Sequence, residues 1–346
     1  MMLKMNENNY LDISLKKIFI FMSLLFLSGL CIHGQQTPVF SQYMINKFLL
    51  NPAIAGGSGY NDVNLIAREQ FVGFENAPRT FALTGQSRLL DDSYIRRKLR
   101  IRKNANQASI FTNIGLGGGI FSDRNGIVSK TGMQISYAYH INFNNRYQLS
   151  MGLSGSAFQY KLDDSESYIV DTDDPLLMGS DKQFWVPDAA FGLYFTDKRS
   201  WAGITITDLF GSSLRFGSSP IKENFSSLRN FNLMAGSDFN LSSEFHIKPS
   251  AIIRMNNLQT LIDINTRVYY MDSYWLGMSF RTDNTLITML GINFEMLRFA
   301  YAYDANLGNI RNYTSGSHEI VIGVRFGDTN TRRVRWLRKD EDSFDM

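Results

Sequence analysis

The sequence contains almost no cysteine and little proline. Its 346 residues include one cysteine, Cys31, and seven prolines. A single cysteine cannot form a disulfide within the chain. If the N-terminal segment that carries Cys31 is removed, the remaining chain has no thiol, which excludes cysteine catalysis and thiolate metal sites.

The chain also lacks a strong charge of either sign. It has 35 basic and 32 acidic residues, and its formal net charge is +3. A charge so close to zero argues against a nucleic-acid binder that works by bulk electrostatics. Aromatic residues make up 13% of the chain and charged residues 19%, a composition that argues against intrinsic disorder.

Long apolar runs are absent after the first 34 residues. No later run approaches the roughly 18 residues that a membrane-spanning helix needs. This absence excludes a polytopic helical membrane protein. It does not exclude a membrane β-barrel, whose strands alternate apolar and polar residues and escape hydropathy averages.

The first 34 residues have the pattern of a signal peptide. Lys16 and Lys17 precede an apolar run over 18–32, and cleavage after Gly34 would leave an exported chain without cysteine. One alternative is an N-terminal anchor helix. Another is lipid attachment at Cys31, although the preceding Leu30 is bulky where such signals favour a small residue. We therefore predict Sec-type export.

Period-2 alternation dominates the mature chain, and it is clearest over 128–143. There Met133, Ile135 and Tyr137 lie on one face, and Gln134 and Ser136 lie on the other. A short helix is predicted only around 40–50, before Asn51-Pro52. The pattern predicts about fourteen strands: 63–70, 79–88, 110–121, 128–143, 147–160, 185–196, 201–208, 228–240, 245–255, 260–270, 274–281, 285–294, 298–304 and 317–326.

The strand pattern favours an all-β fold, an outer-membrane antiparallel β-barrel spanning residues 61–327. Connections of three or four residues alternate with longer ones such as 161–184 and 209–227, as in outer-membrane barrels. Aromatic residues near strand ends are predicted to form an outward interfacial girdle. They are Phe143, Tyr147, Trp201, Phe245, Tyr270 and Tyr274. The alternative is a water-soluble barrel that buries its apolar faces inward.

The predicted barrel also implies which end faces the periplasm. Short turns and both termini are expected on the periplasmic side, and the acidic loop 161–184 on the outside. The periplasmic side would then carry two basic clusters, one in the segment 94–103 and one in the tail 328–346. Either could bind anionic lipid headgroups or a periplasmic partner. The cluster in the first segment comprises Arg96, Arg97, Lys98, Arg100, Arg102 and Lys103, and the first five are the candidate contacts.

Few residues suggest a cofactor or a catalytic site. Asp171, Asp173 and Asp174 could hold calcium, but no complete loop motif surrounds them, and a solvated loop is the better interpretation. The glycines at 115–119 indicate a bent wall or close backbone approach rather than a phosphate loop. His140 and His246 lack a serine or paired-histidine motif. We therefore predict no catalysis, no metal and no cofactor.

Several charged residues fall on the polar faces of predicted strands. If those faces point inward, the charges form a ladder that lines or plugs the lumen. Their expected role is structural, since they would pair with one another inside the barrel. The set comprises Arg267, Arg281, Arg325, Asp263 and Glu319.

A series of short motifs follows the signal peptide in a fixed order. The motifs are FSQYM at 40–44, NPAIAG at 51–56, REQFVGF at 68–74, APRT at 77–80, GLGG at 115–118, DRNG at 123–126, YAYHI at 137–141 and LSMGL at 149–153. This series resembles the PorP/SprF family of type IX secretion system membrane proteins, over nearly the whole mature chain. A tryptophan is usual in that family where Phe71 stands, and a glycine is common where Asn76 stands.

The resemblance implies a non-enzymatic outer-membrane barrel that assists secretion or surface attachment of cargo, such as adhesins, in gliding and related bacteria. Its partners would be type IX machinery or a secreted cargo protein, together with outer-membrane lipid, and neither nucleic acid nor a small-molecule substrate. The rival function is a pore for small solutes.

Partner contact is expected on the basic segment 94–103 and on the N-terminal segment 35–60, which alternatively plugs or braces the barrel. The residues in question within 35–60 are Phe40, Gln42, Tyr43, Asn51 and Pro52.

Overall fold

The computed structural model describes residues 39–89, 113–143, 146–162, 183–210, 213–214, 225–226 and 229–327. Four sequence predictions lie outside these residues. They are the signal peptide, the calcium candidate at Asp171, Asp173 and Asp174, the tail 328–346, and the basic cluster Arg96, Arg97, Lys98, Arg100 and Arg102.

The described residues consist mainly of strands, with three short 3-10 helices at Lys47–Leu49, Pro52–Ile54 and Asn309–Asn312. No helix among them is long and apolar enough to cross a membrane. The strands are β1 (Asn61–Glu69), β2 (Arg79–Arg88), β3 (Ile114–Asn125), β4 (Val128–Phe143), β5 (Tyr147–Leu162), β6 (Gln183–Thr196), β7 (Ser200–Thr207), β8 (Ser213–Leu214), β9 (Phe225–Ser226), β10 (Asn230–Ser237), β11 (Phe239–Asn240), β12 (Phe245–Met255), β13 (Thr260–Tyr270), β14 (Tyr274–Arg281), β15 (Thr285–Phe294), β16 (Leu297–Asn306) and β17 (Ser317–Phe326).

The large sheet closes on itself as an antiparallel barrel. Strand β1 pairs with β17, with Leu65 opposite Ile322, and β10 pairs with both β7 and β12. Strands β10 and β11 are one barrel strand interrupted at Asp238, and β8 and β9 form a separate two-stranded pair. The seventeen strands therefore reduce to a closed barrel of fourteen, as predicted, with no free edge to pair with another chain.

Most predicted strand bounds are confirmed. The spans 79–88, 128–143, 245–255, 260–270, 274–281, 285–294 and 317–326 agree to the residue. The largest error is four residues, in β3, which begins at Ile114 instead of 110 and continues to Asn125. It runs on because a two-residue turn, with Gly126 at φ +59°, joins it directly to β4.

The two faces of the wall divide as the alternation predicted. On β13, Ile264 is 52% exposed on the outer face, whereas Asp263 and Asn265 are fully buried on the inner one. Outward residues of the other strands, such as Ile135 and Leu276, are also highly exposed. The water-soluble alternative is therefore wrong, because the apolar side chains face outward, where only lipid covers them favourably.

The aromatic girdle is confirmed except at one position. Phe143, Phe245, Tyr270 and Tyr274 are exposed on the outer face, and Tyr147 stacks there on Phe195 with ring centroids 5.8 Å apart.

The exception, Trp201, points into the lumen and stacks on the buried Tyr194 at 6.1 Å. The prediction for Trp201 was wrong because β7 alternates the other way. Ile204 faces out, so Gly203, Thr205 and Trp201 face in.

The two ends of the barrel differ in their connections. One end, called here the terminal rim, is where β1 begins and β17 ends, and it carries the turns 197–199, 241–244, 271–273 and 295–296. The other end, the distal rim, combines tight turns such as 256–259 with the longer connections 70–78 and 307–316. By the usual habit of such barrels, we expect the terminal rim to face the periplasm.

This orientation is tested by cysteine labelling. Ser243→Cys places an exposed thiol in a terminal-rim turn, and Ser315→Cys places one in a distal-rim loop. On intact cells an impermeant maleimide should label the Ser315→Cys protein only, and both proteins should react after lysis. Labelling of the Ser243→Cys protein alone on intact cells would reverse the orientation.

Candidate functional site

Residues 39–60, called here the lumen segment, lie inside the barrel. Tyr43, Phe48, Asn51 and Ala53 are at most 1% exposed, although none of them belongs to a strand. The predicted helix over 40–50 is wrong. The segment instead makes turns and two single-turn 3-10 helices, because its polar groups bond to the barrel wall as well as to one another.

The strongest anchor of the lumen segment is a group of buried charges near the distal rim. Arg68 of β1 forms ion pairs with Asp304 of β16 at 2.7 Å and with Glu319 of β17 at 3.1 Å. Its Nη1 also donates to the Ser41 hydroxyl at 2.7 Å. We call Arg68, Asp304 and Glu319 the anchor cluster.

The anchor cluster binds the backbone of the lumen segment directly. The N–H groups of Ser41 and Gln42 donate to the two carboxylate oxygens of Glu319, at 2.8 and 2.9 Å. The Ser41 hydroxyl donates to Asp304 at 2.6 Å. All three members of the cluster are nearly inaccessible to solvent. Removing one partner of such a buried set typically costs about 3–5 kcal/mol, because the remaining charge is left uncompensated.

Tyr43 continues this contact deeper into the barrel. Its hydroxyl lies 3.3 Å from the Ser250 hydroxyl, and the guanidinium of Arg254 lies 5.6 Å from its ring centroid. Burial raises the pKa of Tyr43 far above its ordinary value, so the phenol stays neutral. The side chain therefore acts as an apolar wedge with one polar tip.

The Asn51-Pro52 turn is fitted to two glycines of the wall. The Asn51 side chain accepts from Ala53 N–H at 2.9 Å, which caps the 3-10 turn, and donates to the Leu193 carbonyl at 2.9 Å. A Cβ atom at Gly152 would lie 2.5 Å from Ala53 Cα, and one at Gly192 would overlap the Asn51 side chain. Glycine is required at both positions because the backbone of the lumen segment approaches so closely.

Gly115 and Gly117 in the glycine run of β3 are explained in the same way. A Cβ atom at Gly117 would lie 2.6 Å from the Phe48 ring, and one at Gly115 would overlap the Ala55 carbonyl. The prediction of close backbone approach at this run is confirmed.

His140 fixes the end of the lumen segment. Its Nε2 lies 2.9 Å from the Ala55 carbonyl and its Nδ1 lies 2.7 Å from the Ser150 hydroxyl. The carbonyl can only accept, so Nε2 carries the proton and Nδ1 accepts from Ser150. Both side chains are fully buried, and no carboxylate among the described residues forms a hydrogen bond to the ring. The pair therefore has the contacts of a structural clamp, and neither atom is accessible to a substrate.

The predicted charge ladder does point inward, but it is divided between the two ends. Asp263, Arg281 and Glu319 lie near the distal rim, where Arg281 Nη2 is 3.6 Å from Asp304. Near the terminal rim, Asp62 pairs with Arg298 and, at 3.3 Å, with Arg325. The anchor residues Arg68 and Asp304 were not singled out from the sequence, although Arg68 begins one of the family motifs.

Below the lumen segment a cavity of about 680 Å³ opens at the terminal rim. We call it the vestibule. Met44, Lys47 and Phe48 of the lumen segment are among the residues that line it. Lys47 Nζ lies 4.0 Å from the Trp201 ring centroid and donates to the Tyr194 hydroxyl at 3.2 Å. No sequence pattern predicted the vestibule, because its walls come from strands that are distant along the chain.

The residues predicted to contact a partner form two groups. The basic group at 96–102 lies outside the described residues. The other group is buried in the lumen segment, as the plugging alternative expects, and consists of Phe40, Gln42, Tyr43, Asn51 and Pro52. They present no surface to a partner while the segment is seated, so partner binding by them stays a prediction.

Metal binding finds no support in the described part of the chain, which holds no group of three histidine, aspartate or glutamate side chains that could bind an ion.

Comparison with known proteins gives a family match over most of the chain. The family model described as "Type IX secretion system membrane protein PorP/SprF" matches residues 32–324. No curated protein sequence matches the chain.

The solved structures that match this chain have low sequence identity and TM-scores below 0.5. The CymD monoaromatic hydrocarbon channel is 13% identical, with 85% of this chain and 94% of that one covered and a TM-score of 0.44. The KdgM porin is 10% identical, with 77% and 99% covered and a TM-score of 0.33. The β domain of the Bordetella autotransporter Brka is 12% identical, with 78% and 99% covered and a TM-score of 0.36.

The anchor cluster is tested by Glu319→Gln, which keeps the shape of the side chain and removes its charge. Arg68 then loses one of two buried partners, so we expect about 3 kcal/mol of destabilisation and a lower temperature for the heat-induced change in gel migration. The control is Glu244→Gln, in an exposed turn. Equal unfolding temperatures for the parent and Glu319→Gln proteins would contradict the anchoring role.

Proposed function

Because this chain belongs to the type IX secretion system membrane protein family PorP/SprF, we propose that it assists secretion or cell-surface attachment of cargo proteins such as adhesins. It does so as a non-enzymatic, integral outer-membrane component that binds type IX machinery or a secreted cargo protein. The outward apolar face of the barrel accounts for its place in the membrane.

The observation that carries this proposal is the occupied lumen. The lumen segment is held at three levels: by the anchor cluster, by the Asn51 turn against Gly152 and Gly192, and by His140 at Ala55. A passive pore needs a continuous aqueous path, whereas a seated segment of this kind interrupts it. The arrangement therefore favours a protein-binding role over solute diffusion.

The contacts of the histidine side chains support the absence of enzymatic activity. His140 and Ser150 are hydrogen-bonded to each other and are fully buried next to the lumen segment. The imidazole of His246 lies between the carboxylates of Asp238 and Asp272 at the terminal rim. Neither histidine combines an accessible nucleophile with a base, which is the arrangement that hydrolytic catalysis requires.

The terminal rim is the proposed contact surface for the periplasmic partner. The connection between β2 and β3 leaves this rim, and its sequence holds the predicted basic cluster Arg96, Arg97, Lys98, Arg100 and Arg102. Concentrated positive charge at a periplasmic surface attracts an acidic protein partner or anionic lipid headgroups.

The secretion role is tested by comparing proteins in the medium and on the cell surface of a deletion strain and its parent. We expect either one large secreted protein to be lost, as for a dedicated partner, or many, as for core machinery. Restoring the gene with glutamine at the five basic positions should leave secretion at half or less, whereas Arg311→Gln at the distal rim should restore it fully. No change in either fraction would favour the pore.

The pore alternative is tested by planar-bilayer conductance. The parent barrel should be electrically silent, because its lumen is occupied. In Gly152→Val the new side chain overlaps Ala53 and should unseat the lumen segment, so single-channel current should appear. Gly155→Val is a matched control on the same strand, since its Cβ meets no atom within 4 Å, and it should stay silent. A conducting parent barrel would contradict the plugged lumen.

A further inference from the structure

We propose that the vestibule is a binding site for an extended peptide segment that carries carboxylate and aromatic side chains. The peptide would belong to a periplasmic protein, a source that rests on the orientation in the proposed function. The binding chemistry does not rest on that orientation, because it follows from the side chains that line the cavity.

The first observation is the state of Arg267, which lies on the vestibule wall. The residue is only 8% exposed, its Nη1 donates to the Tyr269 hydroxyl at 2.8 Å, and its Nε is buried without a hydrogen-bond partner. No ion pair forms at Arg267 among the residues that the structure describes. A guanidinium has five N–H donors and a planar fork that fits a carboxylate, so this group is incompletely satisfied.

The second observation is an aromatic frame around that guanidinium. Its central carbon lies 5.5 Å from the ring centroids of both Tyr269 and Trp275, and these rings stack on each other at 5.9 Å. Lys47 and Trp201 form a second pair of the same kind on another part of the lining. The vestibule thus offers cations for carboxylates beside ring faces for aromatic side chains.

Charge and size fit the same class of ligand. Among the described residues, seven lysine and arginine side chains line the cavity against five aspartate and glutamate side chains, a formal excess of two positive charges. Asp62 pairs with Arg298 and Arg325, and Asp238 pairs with Lys248, whereas Arg267 forms no ion pair with a described residue. A volume of about 680 Å³ is within the range of specific ligand pockets, and it suffices for a few residues of a peptide.

The lining of the cavity connects the terminal rim with the lumen segment. It includes residues of the terminal-rim turns, such as Lys198 and Asp272, and Met44, Lys47 and Phe48 of the lumen segment. A peptide that enters from the rim would therefore contact the lumen segment, with its carboxylates opposite Arg267 and Lys47.

The test uses the purified full-length barrel in detergent micelles. The probe is a fluorescein-labelled octapeptide of alternating glutamate and tyrosine, and binding is followed by fluorescence anisotropy. Arg267→Gln should weaken binding about tenfold or more, as expected for loss of a charged hydrogen bond of about 1.4 kcal/mol. Arg311→Gln removes an equal charge at the distal rim and should leave the affinity within about twofold of the parent. A peptide with lysine in place of glutamate should bind at least about tenfold more weakly.

A second measurement keeps the proposal testable if Arg267→Gln folds poorly. Ser273→Cys places a thiol on the vestibule lining, and Ser243→Cys places one in a turn outside it. The octapeptide should slow maleimide labelling of the first and not of the second. Equal affinities of the Arg267→Gln and Arg311→Gln proteins, or equal protection by free glutamate, would overturn the proposal. These outcomes are independent of the secretion phenotype, so either hypothesis can fail alone.

Discussion

The buried contact between Glu319 and the backbone of Ser41 and Gln42 is the interaction on which the rest of the lumen depends. A carboxylate with almost no solvent contact is tolerable only when its oxygens accept hydrogen bonds and a cation lies close. Arg68 supplies the cation, and the two N–H groups supply the hydrogen bonds. The wall and the lumen segment therefore stabilise each other, because each satisfies polar groups that the other would leave unpaired.

This mutual dependence explains features that otherwise look unrelated. The glycines at 115, 117, 152 and 192 leave room for the backbone and side chains of the lumen segment. Polar residues fill the inner faces of the strands and bond to that segment, while apolar residues cover the outer faces. Between the segment and the terminal rim lies the vestibule, which is lined by cations and aromatic rings. The lumen segment therefore forms part of the wall of the vestibule as well as part of the barrel interior.

Local pattern predicted the wall well and the lumen poorly. Strand β4 could be placed to the residue because its alternation continues for sixteen positions without interruption. Trp201 was placed on the wrong face because β7 is short and mixes glycine and alanine with its apolar residues, so its phase is ambiguous in the sequence. The helix predicted over 40–50 failed for a different reason. The polar groups of that segment bond to β16, β17 and other strands, which helical periodicity cannot detect.

The sequence by itself determined the fold class, the strand count, the direction of each long strand's two faces and the family resemblance, because these depend on residues close together along the chain. Only the tertiary structure decided that residues 39–60 fill the lumen and that Arg68, Asp304 and Glu319 meet around Ser41. Only it revealed a vestibule that brings Lys47 and Arg267 together with Trp201 and Trp275. The contacts of Ser41 with Asp304 and Glu319 join residues more than two hundred positions apart, and closure of the barrel brings them within reach.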